Sequence, residues 1–557
     1  MKGVKVILSV FLTGVVILSI FSGCGSNYSN SGTQTTNNGI KEFSVFYAYA
    51  GKETPKTNRI KKVIAKKIGA MAIDTYLTGQ TAKERIGVMI AGGKYPDFID
   101  GADATESLIQ AHALIPIDKY WNKYPNVKNL YSPGDWNKLR QPDGHIYYIR
   151  QFGATKGKDT TPVYNDEAFW IQKAVVEWAH YPKLTTLDQY FDLIEKYKAA
   201  HPTVDGQPTI GFEINCDGKN NCSFQLENPP QFLAGYPNDG MTIIDSKTLT
   251  ANSYDTISEA KAYFKKLNEE YNKKIIEPQT FTASYEQYIS KISTGRVLGL
   301  IDQYWNFKTA EAALLQRGKD DKTYVPFGVT IDPNVKAHYR SLPALDAANG
   351  IGITTSCKDP QGALKFLNDL LSPEVETLRN WGVKGVDYEV DSKGIYYRTQ
   401  KQRDENKNQG WVTDNMCAYE NFPGISGTQK DGINAINPSN QIGEFQAGLS
   451  DVDKKVLSGY GYKKWTDFMN KPAPKNPPWY PIYSYVYMMK PSDPGLLAYN
   501  KIDDIKKQLL PQIIIAKTSD FESNWSSYQQ KIKNQRDLQT YEDSLTKEVR
   551  RRAKLFK

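Results

Sequence analysis

The sequence predicts an α/β fold built from more than one folding unit. Short apolar strands alternate with amphipathic helices along most of the chain. Residues 43–100 follow the order strand, helix, strand, helix, strand, which is typical of parallel sheets with helices on both faces. The chain has 557 residues, whereas a single domain has roughly 150.

The N-terminal elements follow from residue spacing. Strands are predicted over residues 43–49, 71–77 and 98–100, because these stretches are apolar and end at turn-forming residues. Helices are predicted over residues 57–68 and 81–91, where apolar side chains recur every three or four positions. These five elements form two successive strand–helix–strand units.

The alternation continues beyond this region, and the Tyr- and Pro-rich stretch 472–494 is expected to be an ordered loop. The further strands are predicted over residues 146–150, 297–301 and 350–355. The further helices are predicted over residues 166–179, 187–200, 257–271, 363–371, 502–515 and 537–555.

Composition narrows the classes of function. The chain contains 36 Tyr and 10 Trp, and such amphipathic rings suit the apolar faces of sugars; exposed β structure is the alternative explanation. The net charge of +9 is small for this length, so no nucleic-acid surface is expected. The one long apolar run lies at the N-terminus, which excludes a polytopic membrane protein.

The N-terminus predicts export and a lipid anchor. Residues 1–23 have a basic start and a short apolar run, as signal peptides do. Ser22 and Gly23 before Cys24 resemble the bacterial lipobox, in which the cysteine is acylated; an ordinary secretory peptide is the alternative. Residues 24–41 are then the lipidated Cys and a Gly/Ser/Asn/Thr-rich flexible tether.

The four other cysteines form no metal-type pair. Cys216 and Cys222 are close enough in sequence for a local disulfide bond, and this pairing is left open. Cys357 and Cys417 are either buried free thiols or a second bridge. Without a CxxC motif, zinc-ribbon and thioredoxin-like folds are excluded.

Motifs for catalysis and for cofactors are missing from the sequence. It has no phosphate-binding loop, no HExxH and no Gly-x-Ser-x-Gly motif. Residues 215–221 resemble a calcium loop only faintly, because Lys219 stands where an oxygen ligand is needed. We therefore expect no cofactor and no metal. A glycosidase needs only two carboxylates across a cleft, which residue spacing does not exclude.

Six segments in order resemble one family: residues 86–98, 113–118, 143–148, 170–190, 293–299 and 380–388. Their sequences are similar to those of carbohydrate-type extracellular solute-binding proteins of ABC importers, which are maltose-binding-protein-like, and in particular to the long Gram-positive lipoprotein branch. Many relatives carry a calcium loop after the helix that ends here near Ala200. Residues 201–208 lack most of its oxygen ligands.

The resemblance implies a two-lobe, type II periplasmic-binding-protein-like fold, with a mainly parallel sheet in each lobe and a ligand cleft at a hinge between them. The chain is expected to cross between lobes near residues 150–165 and 303–310, with a later return. Lobe 1 then comprises residues 42–155 and about 308–375. Lobe 2 comprises residues 156–307 and about 376–557, including the C-terminal helices.

The resemblance also implies the region of ligand contacts, which is the ends of strands and the crossovers. Trp305 is the principal candidate, as a ring that stacks on the sugar, and core packing is the alternative for each aromatic residue. The predicted ligand-binding residues are Tyr47, Tyr49, Asp97, Arg150, Gln151, Trp170, Asp302, Gln303, Tyr304, Trp305, Trp381 and Tyr388. Trp479 and Tyr480 are expected at the rim of the cleft.

The sequence therefore predicts a monomeric, lipid-anchored receptor on the extracytoplasmic face of the cell membrane. It is expected to bind an oligosaccharide, to deliver it to the permease subunits of an ABC importer, and to catalyse no reaction. Two alternatives stay open: a secreted polysaccharide-degrading enzyme, and a surface sugar sensor or lectin without transport.

The lipid anchor gives the first prediction. Replacing Cys24 by Ser removes the thiol that would be acylated, so the Cys24→Ser protein should leave the membrane fraction and appear in the soluble fraction. Fractionation of cells that express either form measures this. If the variant stays in the membrane as firmly as the parent, the anchor is not at Cys24.

Overall fold

The structure is a computed structural model, and it describes residues 34–216, 223–240, 242–417, 419–533 and 536–555. The predicted signal peptide and Cys24 lie outside these residues. In the part that is described, no helix is both long and apolar enough to cross a bilayer.

The strands pair into two larger sheets and several two-stranded ribbons. Their bounds are β1 Gln34–Thr35, β2 Lys41–Tyr47, β3 Ala70–Tyr76, β4 Phe98–Asp100, β5 Tyr148–Ile149, β6 Thr155–Lys156, β7 Glu167–Gln172, β8 Thr203–Val204, β9 Gln207–Pro208, β10 Ile210–Glu213, β11 Thr242–Asp245, β12 Thr250–Ser253, β13 Val297–Gln303, β14 Tyr324–Phe327, β15 Ile351–Ile353, β16 Glu389–Val390, β17 Tyr396–Tyr397 and β18 Ser426–Gly427.

The helices cover these sheets and extend the C-terminal third of the chain. Their bounds are α1 Arg59–Ile68, α2 Ala82–Gly92, α3 Thr105–Gln110, α4 Pro125–Lys128, α5 Pro133–Leu139, α6 Lys173–Trp178, α7 Leu187–Ala200, α8 Pro229–Leu233, α9 Ser258–Asn272, α10 Tyr285–Ser293, α11 Tyr304–Gln316, α12 Pro360–Leu370, α13 Pro373–Asn380, α14 Gln400–Lys407, α15 Gln409–Asn415, α16 Ile442–Gly448, α17 Asp451–Tyr460, α18 Pro494–Ile515, α19 Phe521–Lys533 and α20 Arg536–Leu555.

The first sheet has the parallel core that the sequence predicts. Strand β2 pairs in parallel with β3 on one side and with β4 on the other. Strand β15 then pairs antiparallel with both β4 and β5. The short β1 pairs antiparallel with the start of β2, so residues 34–41 form a hairpin where the sequence predicted only a flexible tether.

The second sheet is mixed, whereas the sequence predicted a mainly parallel one. Its order is β10, β13, β7, β14, and β7 runs antiparallel to both of its neighbours. The predicted helix 166–179 is wrong in its first half, because Glu167–Gln172 forms β7 and the helix begins at Lys173. All six residues of β7 are buried, as a strand inside a covered sheet requires.

Two hydrophobic cores define two lobes, and they divide the chain differently from the prediction. Helix α11 follows β13 directly and packs Phe307 and Leu314 into the second core, so the chain does not change lobe near 303–310. It passes instead from Tyr339 in the second core to Leu345 in the first. Residues as late as Phe422 still pack in the first core.

The two-lobed α/β class is confirmed, and lobe 1 contains residues 34–154 and 345–422. Lobe 2 contains residues 164–339 and 456–553. The first core is dominated by aromatic and branched side chains from β2, β4, β15 and α12, and the second by those from β7, β13, α7 and α9. The C-terminal helices α18, α19 and α20 pack onto lobe 2.

The cysteines outside the N-terminus are accounted for in part. Cys216 is disulfide-bonded, while Cys222, the partner that the spacing suggests, lies outside the described residues. Cys357 and Cys417 are both buried in the first core. Burial raises the pKa of the Cys417 thiol to about 11, which keeps this thiol protonated at neutral pH.

Trp381, which the sequence proposed as a ligand contact, is fully buried in lobe 1. Its indole Nε1 donates a hydrogen bond of 3.0 Å to the carbonyl oxygen of Ala435. Its ring packs against Tyr388 and Tyr396, each with a centroid separation of 5.4 Å. With no exposed ring face, Trp381 is a packing residue.

Replacing Trp381 by Ala should therefore lower the free energy of unfolding by about 3–5 kcal/mol, because the change leaves a cavity and an unpaired carbonyl group. Trp381→Phe should cost less, since it retains most of the ring volume. Urea denaturation followed by circular dichroism measures both. A Trp381→Ala protein of parental stability would contradict the packing role.

Candidate functional site

A cleft of about 1200 Å³ lies between the two lobes. It exceeds the range of about 300–1,000 Å³ that suits drug-sized ligands. Both lobes and the segments that connect them contribute to its walls. The residues that line it include Ala102, Asp103, Arg150, Phe152, Asp346 and Asn349 of lobe 1 and Asn165, Asp166, Glu167, Glu227, Asn228, Gln303, Trp305 and Asn306 of lobe 2. Asp159, Arg340, Tyr480, Tyr483 and Tyr487 also line it.

The lobe 1 wall forms where β4, β5 and β15 meet at one edge of the sheet. The register places Ile351 opposite both Asp100 and Ile149, so the residues that follow β4 and β5 and those that precede β15 converge. The Arg150 guanidinium group donates hydrogen bonds to the Asn349 side chain and to Asp346, the latter at 3.1 Å.

A layer of polar side chains supports this wall from behind. The Asp100 carboxylate accepts hydrogen bonds from Asn349 at 2.8 Å, from Gln151 at 3.2 Å and from the Ala102 backbone N–H at 2.9 Å. The Gln151 amide also donates to the Tyr49 hydroxyl at 2.6 Å. Burial raises the pKa of Asp100 despite these donors. Gln151 and Tyr49 therefore position the wall.

The lobe 2 wall is a consequence of the reversed strand β7. Because β7 runs antiparallel to β13, Glu167 at its beginning lies opposite Gln303 at the end of β13. The Glu167 carboxylate accepts hydrogen bonds through Oε2 from Gln303 at 3.0 Å and from Asn228 at 2.8 Å. A parallel sheet would have put these two residues at opposite edges.

Asp302 lies just behind this wall and is fully buried. Its carboxylate accepts hydrogen bonds from the Tyr288 hydroxyl at 2.7 Å and from the Asn306 amide at 2.9 Å, which fixes Asn306 at the cleft surface. The Trp170 indole donates to the Asp302 carbonyl oxygen at 2.8 Å. Burial raises the pKa of Asp302 to about 7.

Four aromatic side chains present exposed surface to the cleft. The exposed fractions are 63% for Phe152, 46% for Trp305, 37% for Tyr483 and 46% for Tyr487. Phe152 belongs to lobe 1, and Trp305 begins α11 in lobe 2. Flat rings on both sides of a polar cleft can stack on the apolar faces of sugars while amides and carboxylates bind the hydroxyl groups.

The two tyrosines belong to a segment that charged groups hold in place. Arg552 of α20 is fully buried and donates to the carbonyl oxygens of Trp479 at 3.1 Å and Pro481 at 2.6 Å. The buried Asp239 carboxylate accepts from the Tyr483 backbone N–H at 3.2 Å. Lys138 of lobe 1 donates to the Tyr480 carbonyl oxygen at 3.0 Å. The C-terminal helix therefore supports the cleft.

Three of the residues that the sequence proposed for ligand contact line the cleft: Arg150, Gln303 and Trp305. Tyr49, Gln151 and Asp302 lie one layer behind it. Tyr480, expected at the rim, also lines the cleft. All of these except Tyr480 lie at or just after the end of a strand, where ligand contacts are expected.

The other proposed residues do not line the cleft. Tyr47 is buried and stacks on Tyr76 with a centroid separation of 5.0 Å. Asp97 is buried, and its carboxylate accepts from the backbone N–H of Ser44 at 2.8 Å. Both residues therefore serve packing inside lobe 1.

Three further aromatic candidates are also structural. Trp170 is buried in β7, and Tyr304 packs against it at 5.4 Å between ring centroids. Tyr388 lies at a separate, open depression of about 480 Å³ on lobe 1. Each of these rings packs against another aromatic side chain of its own lobe.

Sequence reasoning missed most of the residues that line the cleft, among them Phe152, Asp166, Glu167, Tyr483 and Tyr487. Phe152 directly follows the predicted pair at 150–151, so its position was a usable signal. Asp166 and Glu167 were hidden by the incorrect helix assignment. The two tyrosines belong to the stretch 472–494, which the sequence identified only as an ordered loop.

The described residues contain no group of three or more His, Cys, Asp or Glu side chains that could hold a metal ion. Carboxylates line the cleft, but their neighbours are amides, aromatic rings and guanidinium groups. The cleft is therefore equipped for hydrogen bonding and stacking.

The chain resembles solved structures over almost its whole length. A human-milk-oligosaccharide (HMO) binding, ABC-transporter-associated solute-binding protein from Bifidobacterium longum infantis ATCC 15697 has a TM-score of 0.62 and 18% identity, and the match covers 93% of this chain and 99% of that one. FusA of S. pneumoniae, solved with fructo-nystose, has a TM-score of 0.59 and 17% identity over 92% and 99%. The alginate-binding protein AlgQ2 has a TM-score of 0.59 and 14% identity over 93% and 99%.

At these identities the likeness establishes the fold, and it agrees with the two lobes described above. A comparison with curated protein sequences gave no match. The profile of the family described as bacterial extracellular solute-binding protein matches residues 70–381, which is more than half of the chain. The chain therefore belongs to the bacterial extracellular solute-binding protein family.

Proposed function

We propose that this protein is a lipid-anchored receptor that binds an oligosaccharide in the cleft between its lobes and delivers it to an ABC importer. The observation that carries the proposal is the pair of exposed rings on opposite lobes, Phe152 and Trp305, in one polar cleft. A ligand held by both rings would couple the lobes, and hinge closure around a ligand is a common way for two-lobed binding proteins to signal occupancy.

The size of the cleft favours a ligand of several rings. Its volume is about 1200 Å³, and its lining includes the rings of Phe152, Trp305, Tyr483 and Tyr487. Polar side chains, among them Gln303 and Asn306, line the same cleft. Such an arrangement matches a chain of sugars better than a single compact metabolite.

The structural relatives support the same class of ligand. Those proteins bind HMO, fructo-nystose and alginate, respectively. These compounds differ in linkage and charge but are all carbohydrates. We propose a carbohydrate ligand for this chain as well, together with a monomeric state and an ABC permease as partner.

The lipid anchor at Cys24 completes the proposal, since a tethered receptor stays close to the permease while its lobes reach the medium. A sugar sensor or lectin without transport is the second candidate for the same cleft. Genes for two membrane permeases beside this gene would favour import, whereas a neighbouring histidine kinase gene would favour sensing.

A polysaccharide-degrading enzyme is the third candidate, and the family is one of binding proteins. Incubating the purified protein with a panel of oligosaccharides and separating the products by chromatography distinguishes binding from cleavage. We expect every oligosaccharide to be recovered intact. Shorter products that disappear when Glu167 is replaced by Gln would indicate a hydrolase.

The stacking role of Trp305 gives a direct prediction. Trp305→Ala should weaken oligosaccharide binding about 5- to 150-fold, the equivalent of about 1–3 kcal/mol for one stacking ring. Because the Trp305 side chain is 46% exposed, the melting temperature of the Trp305→Ala protein should stay close to that of the parent. Calorimetric titration and a thermal melt on the same sample measure both quantities, with a ligand chosen from a glycan array.

Trp178→Ala is the matched control, because Trp178 is 43% exposed but lies outside the cleft, against Tyr197 and His201. It should bind the ligand as the parent does. Unchanged affinity of Trp305→Ala, or a collapse of its melting temperature, would contradict the stacking role.

A further inference from the structure

Acidic side chains outnumber basic ones in the cleft, although the whole sequence carries a net charge of +9. The described residues that line the cleft include six carboxyl groups, of Asp103, Asp159, Asp166, Glu167, Glu227 and Asp346, but only two cationic side chains, Arg150 and Arg340. Lysines outside the lining pair with two of the six, since Lys83 lies 3.8 Å from Asp103 and Lys506 lies 4.0 Å from Glu227.

Both guanidinium groups of the cleft are already neutralised. Arg150 pairs with Asp346 at 3.1 Å, and Arg340 pairs with Asp159 at 2.8 Å. No cationic group among the described lining residues is therefore left to receive a carboxylate or a sulfate of a ligand. An acidic sugar would find no free cationic partner for its charge in the cleft, which costs affinity.

The second-lobe wall contains two carboxyl groups that form no ion pair with a described residue. The exposed Asp166 side chain has neither a hydrogen bond nor an ion pair among the described residues. Glu167 is fully buried, and its Oε1 atom has no hydrogen-bond partner in the described part of the chain. Both residues line the cleft, so a bound ligand can supply the missing hydrogen-bond partner of each carboxyl group.

An unpaired oxygen on a buried carboxyl group is costly, and native proteins rarely leave one without a reason. Burial raises the pKa of Glu167 well above its ordinary value. A cation placed beside Asp166 and Glu167 would favour their ionised forms and form charge-assisted hydrogen bonds.

The chemistry of this wall suits an organic cation better than a metal ion. The described residues form no cluster of three metal-ligating side chains. The Oε2 atom of Glu167 is occupied by the amides of Asn228 and Gln303, so only Oε1 remains available. One free carboxylate oxygen beside a second carboxylate suits a hydrogen-bond donor such as an ammonium group.

We propose, resting on the function proposed above, that the oligosaccharide carries a protonated amino group, as a glucosamine unit does, and that Asp166 and Glu167 bind it. The same wall then excludes uronic acids and sulfated sugars. The cleft selects for a basic sugar by pairing its ammonium group and against acidic sugars by repulsion.

The test uses four matched tetrasaccharides and isothermal titration calorimetry on the full-length protein. Three are β1,4-linked tetramers of glucose, N-acetylglucosamine and glucosamine, which differ only at C2, and the fourth is tetragalacturonate. We expect the glucosamine tetramer to bind about tenfold more tightly than the two neutral tetramers. Tetragalacturonate should not bind. Raising the salt concentration to about 1 M should reduce the preference, because it shortens the screening length to about 3 Å.

Asp166→Asn tests the assignment without altering shape. It should bring the affinity for the glucosamine tetramer to within about threefold of that for the glucose tetramer. Glu167→Gln, which keeps a polar group of the same size, should reduce the preference as well. Asp451→Asn is the control, since Asp451 is a fully exposed carboxylate at the beginning of α17 and should preserve the preference.

The outcomes separate this inference from the function on which it rests. Neutral tetramers that bind as tightly as the glucosamine tetramer, or a preference that survives in both Asp166→Asn and Glu167→Gln, would overturn the inference and leave a sugar receptor. If no tetramer binds, a printed glycan array decides. Hits among amine-bearing glycans support the inference, hits confined to neutral or acidic glycans overturn it, and an array without any hit contradicts the proposed function.

Discussion

The geometry of the cleft depends most on the hydrogen bonds that the buried guanidinium group of Arg552 donates. It holds the carbonyl oxygens of Trp479 and Pro481 and pairs with Glu548 on its own helix at 2.7 Å. Removing a partner from a buried charge is strongly destabilising, so the segment that Arg552 binds is constrained. That segment carries Tyr480 and Tyr483 into the cleft, and Lys138 ties it to lobe 1. The end of the chain therefore shapes a site formed mainly by its middle.

The two sheets make their contributions by different routes. In lobe 1, parallel strands deliver their carboxyl ends to one edge, and β15 returns antiparallel to bring Asn349 beside Arg150. In lobe 2, the reversed strand β7 brings Glu167 to the end of β13. Polar side chains from both edges then face one cleft, and a layer of buried hydrogen bonds around Asp100 and Asp302 holds them in place. The recognition chemistry depends on this buried layer, since it fixes which oxygens and rings face the ligand.

Much of the fold could be predicted from residue patterns, and less of the site. The spacing of apolar residues located the parallel core of lobe 1, because its strands and helices have distinct periods. The stretch 167–172 was assigned to a helix because its apolar part, residues 168–171, is too short to show a period that separates a buried strand from a helix. Trp305 and Trp381 both adjoin strands or turns in the sequence, yet one is 46% exposed and the other fully buried. Exposure depends on which elements pack together, and the local sequence does not determine this. The same holds for Arg552, a charged residue that is fully buried.

Hydrogen exchange measured by mass spectrometry, with and without an oligosaccharide ligand, tests the central claim that the cleft between the lobes is the binding site. The account predicts slower exchange in three segments that line it, residues 150–153, 303–306 and 480–487. Exchange at the separate depression on lobe 1, residues 373–384 and 429–431, should not change. Protection confined to that depression, or a bound ligand that leaves the three cleft segments unprotected, would contradict the account.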